Sequence, residues 1–246
     1  MNRGYYTAAQ GMINQQRILD AISNNVANVN TAGYKADQVV LNTFQEQLFL
    51  VYGRTETSGV SMQTYVDATQ TDLTQGMFEY TESRFDAGIY GDVYFNVRYN
   101  KDNTVYQTRN GQWKLDDEGY LCLGGIGRVQ GENGDIFIGS DDFIIHTDGR
   151  IETDNGIVDR LLLSYIPPDA DINKIGDTLF SYDGDMTVPE DAEFRIIQGA
   201  FEKANVDAAR EMTRAIEAQR MYEATSKILQ YFDKINQKSA TEIAKI

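Results

Sequence analysis

Hydrophobic positions near both ends of this 246-residue chain recur at steps of three and four residues. Near the start they are Tyr5, Ala8, Met12, Leu19, Ile22, Val26 and Val29, with Gln15 filling a gap in the register. From Phe201 onward they are Met212, Ile216, Gln219, Tyr222, Ser226 and Leu229, widened by Ile228, Phe232 and Ile235. This spacing predicts an amphipathic helix at each end, and no Gly or Pro interrupts the second after Gly199. Because the repeat is sustained, the two helices are predicted to pair as a coiled coil.

From Gly76 to Gly199 the period changes to two. Turn pairs such as Asn-Gly and Asp-Gly stand at residues 102–103, 110–111, 118–119, 133–134, 148–149, 155–156 and 183–184. They separate short apolar runs at Val93–Tyr99, Val105–Thr108, Tyr120–Leu123, Asp135–Ile138, Phe143–Ile145, Leu161–Ile166 and Phe194–Ile197. Such pairs supply the positive φ angles that tight hairpins require. Closely spaced short strands predict an antiparallel sheet or small barrel.

These patterns predict an α+β protein with a discontinuous helical domain, residues 1–52 with 200–246. A mainly antiparallel β domain is expected at residues 76–199. Between them we expect a short helix over Asn42–Leu50 and an extended, polar connector over residues 53–75. Gly4 and Gly11 each weaken the first helix by about 1 kcal/mol relative to alanine, so this helix is expected to depend on packing. A fragment of about residues 70–200 is expected to fold without the ends.

Charge is distributed unevenly along the chain. The formal net charge is −15. Residues 1–50 are balanced and residues 200–246 carry +1, so nearly all of the negative charge lies in the middle. Nucleic acid is excluded as a partner, because phosphate binding needs a basic surface. Balanced ends suit segments that pack against many copies of themselves, while an acidic middle stays solvated.

Candidate chemistry is sparse. The one histidine, His146, lies in an apolar run and is interpreted as a satisfied sheet residue, and with a single cysteine, Cys122, no zinc site can be built. The acidic clusters lack calcium-loop spacing and are interpreted as solvated turns. The glycines at Gly124–Gly127 precede no helix, so a tight turn is predicted rather than a phosphate loop. We therefore expect no enzyme activity, cofactor or metal, although two carboxylates could still converge in space for glycoside hydrolysis.

An asparagine-rich stretch, Ser23–Lys35, ends the first helical pattern. It reads S-N-N-V-A-N-V-N-T-A-G-Y-K. Asn is a poor interior helix former, yet Val26 and Val29 continue the apolar spacing, so the helix is predicted to extend towards Gly33. Asn24 and Asn28 lie four apart and share a face, as a polar seam between packed helices requires.

This stretch resembles the N-terminal signature of bacterial flagellar axial proteins, the rod, hook and hook-associated family. The family pattern is roughly A-N-N-x-A-N-x-x-T-x-G-[FY]-K, from which the chain departs at Ser23. A second run of the same family, G-A-F-E-K-A-N-V-D, begins at Gly199 and is followed by Glu211-Met212. The segment Tyr106–Trp113 is similar to the family's Y-T-R-x-G-x-F segment, while the preceding glycine-rich motif is only partly kept.

The resemblance implies a structural subunit of the basal-body rod, most similar to the distal rod type. Such a subunit would assemble into a tubular homo-polymer that transmits torque and encloses the export channel. Its implied partners are neighbouring rod and hook subunits, the flagellar type III export apparatus and ring proteins around the rod, in the basal body outside the cytoplasmic membrane. The alternative from a different class is a secreted or surface carbohydrate-active β protein with helical termini.

Residues expected to pack subunits together come from the two helical patterns and the two signatures. They are Met12, Leu19, Ile22, Asn24, Asn25, Val26, Asn28, Thr31, Gly33, Asn205, Asp207, Met212, Ile216, Tyr222, Leu229 and Phe232.

Overall fold

A computed structural model describes residues 3–43, 64–154, 156–168, 170, 172–184, 186–189 and 192–243. The described helices are α1 (Arg3–Ala27) and α2 (Ala208–Ile243). The described strands are β1 (Asp37–Thr43), β2 (Thr64–Thr71), β3 (Phe78–Tyr80), β4 (Ala87–Tyr90), β5 (Val93–Tyr99), β6 (Val105–Thr108), β7 (Trp113–Leu115), β8 (Leu121–Leu123), β9 (Gly127–Gly131), β10 (Gly134–Asp135), β11 (Phe143–Ile145), β12 (Arg150–Thr153), β13 (Gly156–Arg160), β14 (Leu163–Tyr165), β15 (Asn173–Ile175), β16 (Leu179–Ser181), β17 (Arg195–Gln198) and β18 (Ala200–Glu202). The protein is α+β, as predicted.

The chain forms two compact units. The helical unit holds the described residues of Met1–Ala27, Asp37–Gln70 and Asp207–Ile246. The β unit holds those of Asn28–Ala36 and Thr71–Val206. In this division a nine-residue piece of the N-terminal region, Asn28–Ala36, belongs to the β unit.

In the helical unit, α1 and α2 pack antiparallel. A Cβ placed on Gly4 would come within 2.8 Å of the Phe232 ring, and one on Gly11 would lie 3.7 Å from Thr225. Position 4 therefore lacks a side chain at the place where the two helices approach most closely.

Helix α1 ends at Ala27, earlier than predicted. The amides that follow it form turns, since Thr31 N donates to Asn28 O at 3.0 Å and Tyr34 N donates to Thr31 O at 3.3 Å. The apolar spacing that reaches Val29 therefore does not continue the helix. Gly33 does adopt the predicted left-handed conformation, with φ of +68°, but six residues beyond the helix end.

Helix α2 begins at Ala208 rather than near Phe201, because Asp207 caps it. The Asp207 carboxylate accepts hydrogen bonds from Ala209 N at 3.0 Å and Arg210 N at 3.2 Å. These amides have no partner inside a helix, so a capping oxygen stabilises this end. Phe201 instead lies in β18. The single long C-terminal helix predicted from the lack of breakers is confirmed over Ala208–Ile243.

The segment after the signature forms a two-stranded sheet, β1 with β2. Asn42 and Thr43 lie in β1, so the short helix expected over Asn42–Leu50 does not begin there, and the rest of that range lies outside the described residues. The expected connector over residues 53–75 contains β2, and its part before Thr64 likewise lies outside them.

The β unit is antiparallel throughout its recorded pairings. Its largest sheet has the order β15-β16-β6-β5-β9-β8-β7, with β10 added beside β9 and β14 beside β5. Strands β11-β12-β13 form a second sheet, and the pairs β17-β4 and β18-β3 bring the end of the unit back to its start. The predicted runs Val93–Tyr99, Val105–Thr108 and Phe143–Ile145 match strands residue for residue.

One main hydrophobic core fills the β unit. It contains Phe95, Val97, Leu121, Val129 and Ile151, each fully or almost fully buried. Alternation along the strands points these side chains to one face, which gives the period of two in the sequence. The predicted turn at Gly124–Gly127 is confirmed, because Ile126 N donates to Leu123 O at 2.9 Å and Gly125 has φ of +73°.

The fold yields a prediction about fragments. A fragment of residues 28–206 should unfold cooperatively, whereas one of residues 70–200 should be less stable by about 2 kcal/mol or more, since truncation at 200 removes two residues of β18 and several hydrogen bonds. Urea denaturation followed by circular dichroism measures the difference. Equal stability of the two fragments would show that the strand pair β18-β3 and residues 28–36 contribute nothing to the unit.

Candidate functional site

Three charged side chains meet in the interior of the β unit and form what we call the charge cluster: Lys35, Arg109 and Glu202. Lys35 Nζ lies 2.7 Å from Glu202 Oε1, and Arg109 NH1 lies 3.2 Å from Glu202 Oε2. The side chains are 0%, 2% and 0% exposed, respectively. Each comes from a different part of the chain, so the cluster joins the N-terminal signature, the middle segment and the C-terminal signature.

Glu202 is the centre of this cluster. One carboxylate oxygen accepts hydrogen bonds from Lys35 Nζ and, at 2.8 Å, from Gly76 N. The other accepts from Arg109. Glu202 is thus one carboxylate between two basic side chains, and Lys35 Nζ also donates to Thr74 O at 2.7 Å. Burial lowers the pKa of Lys35, while the Glu202 carboxylate opposes this shift and the nearby Arg109 adds to it.

Arg109 is also held by backbone oxygens. NH1 donates to Ile89 O at 3.3 Å and NH2 donates to Gly91 O at 2.6 Å. The guanidinium carbon lies 4.3 Å from the centre of the Tyr94 ring, which suits a cation–π contact. Its buried Nε makes no hydrogen bond with the described residues. Arg109 thus tolerates burial through several partial compensations.

Asn205 joins three segments through its side chain. Its Oδ1 accepts from Ala36 N at 2.7 Å, and its Nδ2 donates to Asp72 O at 2.8 Å and Thr74 O at 3.1 Å. The backbone N–H of Asn205 donates to Tyr34 O at 3.4 Å. Asn205 therefore connects three segments within the β unit, and its role between subunits stays a prediction.

Gly33 is required by a close approach as well as by its φ angle. Its amide donates to Glu202 O at 2.7 Å. A Cβ at this position would lie 2.3 Å from Asn110 N and 2.4 Å from the carbonyl carbon of Arg109. Any side chain there would displace the backbone beside the charge cluster.

In the helical unit, Asn25 is the buried asparagine of the asparagine-rich stretch. Its Nδ2 donates to Asp37 O at 2.9 Å, and its Oδ1 accepts from Asp37 N at 2.9 Å, so the amide pairs with both backbone groups of one residue in β1. Nδ2 also lies 3.4 Å from Glu211 Oε2, and Glu211 Oε1 accepts from Arg214 at 2.8 Å. Asn24 is exposed and Asn28 lies beyond the helix, so the two do not form the seam predicted from their spacing.

The remaining predicted packing residues fall into two groups. On the half-buried or buried side of the helices lie Met12, Leu19, Ile22, Val26, Tyr222, Leu229 and Phe232. Met212 and Ile216 are each 55% exposed, so the single stripe predicted for the second helix is divided between two faces. Thr31, in the turn after α1, donates to Asn28 Oδ1 at 3.1 Å.

Other predicted candidates have simpler roles. His146 Nε2 lies 2.8 Å from Glu152 Oε2, and both side chains are substantially exposed, so the imidazole directly after β11 pairs with a carboxylate at the surface. Burial raises the pKa of the Cys122 thiol. Among the described residues, no three His, Cys, Asp or Glu side chains are grouped as a metal site would require. None of the described helices is both long and hydrophobic enough to cross a membrane.

Sequence reasoning missed the charge cluster. Lys35, Arg109 and Glu202 all stand inside the quoted motifs, but neither hydropathy nor spacing indicates that charged residues so far apart will be buried together. The one available signal was that each motif carries a charge beside glycine or aromatic residues. Together the fold and this cluster define a structural α+β protein, in which buried polar groups hold distant segments of the chain in contact.

Comparison of the sequence with known protein families and relatives identifies the family of the chain. Residues 6–35 match the family described as flagella basal body rod protein, and residues 197–242 match the flagellar basal body rod FlgEFG protein C-terminal family. The chain is 30% identical to the flagellar basal-body rod protein FlgG of Bacillus subtilis over 96% of its own length and 97% of the relative's. Identity to FlgG of Caulobacter vibrioides is also 30%, over 94% and 95%. The flagellar hook-basal body complex protein FlhO of Bacillus subtilis is 28% identical over the full length of both. The chain belongs to the flagellar basal-body rod protein family.

Variants of the charge cluster should rank by the charge they leave unpaired. Glu202→Gln leaves two buried cations without an anion and should lower the free energy of unfolding by about 3–5 kcal/mol. Lys35→Met leaves the Arg109–Glu202 pair and should cost less than half as much. The control is Glu79→Gln on β3, the strand paired with β18, which removes an exposed ion pair to Lys203 and should cost less than about 1 kcal/mol. Urea denaturation of the full chain measures all three, and a Lys35→Met cost equal to that of Glu202→Gln would contradict this ranking.

The lowered pKa of Lys35 also predicts a pH dependence. Between this lowered pKa and the ordinary lysine value of about 10.4, the unfolded chain binds more protons than the folded chain. Stability therefore rises with pH through this window and falls as pH is lowered through the folded pKa. Denaturation at a series of alkaline pH values should show the wild type gaining stability relative to Lys35→Met. A constant difference would mean that Lys35 titrates normally.

Proposed function

We propose that this protein is a structural subunit of the flagellar basal-body rod, of the distal rod type, that polymerises through its helical unit. The rod so formed is a tube that transmits torque and encloses the export channel. Family membership supports the rod assignment, and the observation that carries the polymerisation is an apolar surface left exposed on the two helices.

This apolar surface is extensive. On α2 it comprises Met212, Ile216, Met221, Ile228, Tyr231 and Ile235, each between 48% and 63% exposed. On α1 it comprises Tyr5, Tyr6 and Ile13, between 36% and 50% exposed. Single exposed apolar residues are ordinary, but so many on two paired helices indicate a surface that is covered in the working state. We propose that Met212 and Ile216 pack neighbouring subunits together.

The opposite face of each helix has the spacing of a coiled coil. On α1 the half-buried and buried positions include the series Gly4, Ala8, Gly11, Gln15, Ile18, Ile22 and Asn25. On α2 they include the series Glu211, Ala215, Ala218, Tyr222, Thr225, Leu229 and Phe232. Both series alternate steps of four and three residues, which is the heptad pattern. Contacts of Gly4 with Phe232, Gly11 with Thr225 and Asn25 with Glu211 fall in one antiparallel register and support an intramolecular coiled coil.

This register also matches small residues to large ones. Ala8 falls opposite Leu229, as Gly4 does opposite Phe232. Nearer the other end of α1, Ile22 falls opposite Ala215. Close packing needs such complementary volumes, so the heptad face of each helix is covered by the other helix of the same chain. Tyr222 and Leu229 therefore serve the pairing of the two helices, and assembly is left to the exposed face.

Charge also distinguishes the helical unit from the β unit. Helix α2 carries nearly balanced charge, whereas the formal charge of the chain is concentrated in the β unit. A balanced surface can approach further copies without strong repulsion, and an acidic unit favours solvent. The proposed location is the basal body outside the cytoplasmic membrane. Neighbouring rod and hook subunits, the flagellar type III export apparatus and the surrounding ring proteins are the partners proposed on family membership.

A glycan-hydrolysing β protein is less well supported. A groove of about 320 Å³ in the β unit is lined by Thr31, Tyr99, Asn110, Ile126 and residues 175–179. Among these residues Asp177 is the single carboxylate, whereas the usual glycosidase mechanism uses two. Asp177 Oδ1 also lies 3.5 Å from the side-chain amide of Asn28.

Charge placed on the exposed face of α2 should block assembly without unfolding the subunit. Ile216→Asp should change the free energy of unfolding by less than about 0.5 kcal/mol, because the side chain is already 55% exposed. The same variant should abolish rod, hook and filament formation. The control, Thr213→Asp, adds the same charge at an exposed polar position nearby and should assemble. Thermal denaturation of the purified chain and electron microscopy of cells measure the two effects. Normal filaments with Ile216→Asp would overturn the assignment of this face.

A further inference from the structure

Residues Asn28–Ala36, here called the strap, belong to the β unit although they follow α1 directly in the chain. Within the strap Ala32 and Tyr34 are 2% and 1% exposed. Lys174 Nζ lies 3.9 Å from the centre of the Tyr34 ring and donates to Lys35 O at 2.8 Å. The strap is thus a seated segment of the unit and not a free linker.

Several of the polar contacts that seat the strap come from one short stretch at the other end of the unit, Gly199–Val206, and others come from Asp72, Thr74 and Lys174. Glu202 accepts the Gly33 amide on its backbone oxygen and the Lys35 ammonium on its side chain. Asn205 accepts the Ala36 amide. These partners lie more than 160 residues away from the strap in sequence.

Seating of the strap depends on Glu202 because of the charges that surround Lys35. Seating the strap buries Lys35 in the neighbourhood of Arg109, whose charge disfavours the charged form of the lysine. Without Glu202 the strap would bring two cations together in the interior, and unpaired buried charge is strongly unfavourable. Arg109 is fixed by the carbonyls of Ile89 and Gly91 and cannot turn away without losing these bonds.

We propose that the charge cluster is a lock that lets the strap close only after Glu202 has been placed by the pairing of β18 with β3. In a chain that lacks residues 199–206, the strap, which follows α1 directly, stays open. The lock therefore reports that the chain is complete. This inference concerns folding of the single chain and does not rest on the proposed function.

Hydrogen exchange of the full chain, read by mass spectrometry, tests the lock. In Glu202→Gln, amides of the strap and of Asp72–Gly76 should exchange roughly 100-fold faster than in wild type, because the opening free energy of that segment falls with the lost charge. Amides of β5 and β9 in the main core should lose protection only as far as the free energy of unfolding falls, and should stay much better protected than the strap. The matched control Glu79→Gln, on the strand paired with β18, should leave the strap unchanged.

Two results would overturn the lock. Unchanged protection of the strap in Glu202→Gln would show that the carboxylate does not hold it. Equal protection of the strap and of β5 and β9 in this variant would show that the cluster is part of one cooperative core. If Glu202→Gln does not fold, the same exchange measurement is made on Lys35→Met, which keeps the Arg109–Glu202 pair but removes the ammonium that Glu202 holds. A strap that exchanges faster than in the wild type, beside a better protected core, supports the lock, and any other result contradicts it.

Discussion

The buried carboxylate of Glu202 is the interaction on which the rest of the β unit depends. It lies between Lys35 and Arg109 and also receives the Gly76 amide. Buried cations are costly without an anion beside them, so this contact holds together the three segments that carry Lys35, Arg109 and Glu202.

The same constraint explains why the two family signatures stand at opposite ends of the chain. Gly33 and Lys35 from the first signature contact Glu202 from the second, and Asn205 accepts the Ala36 amide. Residues that a sequence motif marks need not face a partner subunit. Here Gly33, Lys35 and Glu202 join distant parts of one subunit, and the surface proposed for assembly consists mainly of apolar residues outside the two signatures, with Met212 from the second.

In the helical unit, too, close packing and polar contacts together determine how the elements meet. Small residues such as Gly4 allow the helices to approach, since a Cβ there would clash with Phe232. The cost of glycine in a helix, about 1 kcal/mol, is offset by the closer packing of the pair. Asn25 and Glu211 mark one end of this register, where a buried amide pairs with the backbone of β1. Polar specificity and apolar packing thus operate in both units.

By itself the sequence determined the fold class, the two terminal helices, the β middle and several strands to the residue, because periodicity and turn chemistry are local properties. It also carried the family resemblance. It could not determine that Met212 and Leu229 face different ways, since one stripe fits either face until a partner helix sets the register. Nor could it determine that Lys35, Arg109 and Glu202 meet, because burial of a charge depends on partners that only the folded chain brings within hydrogen-bonding distance.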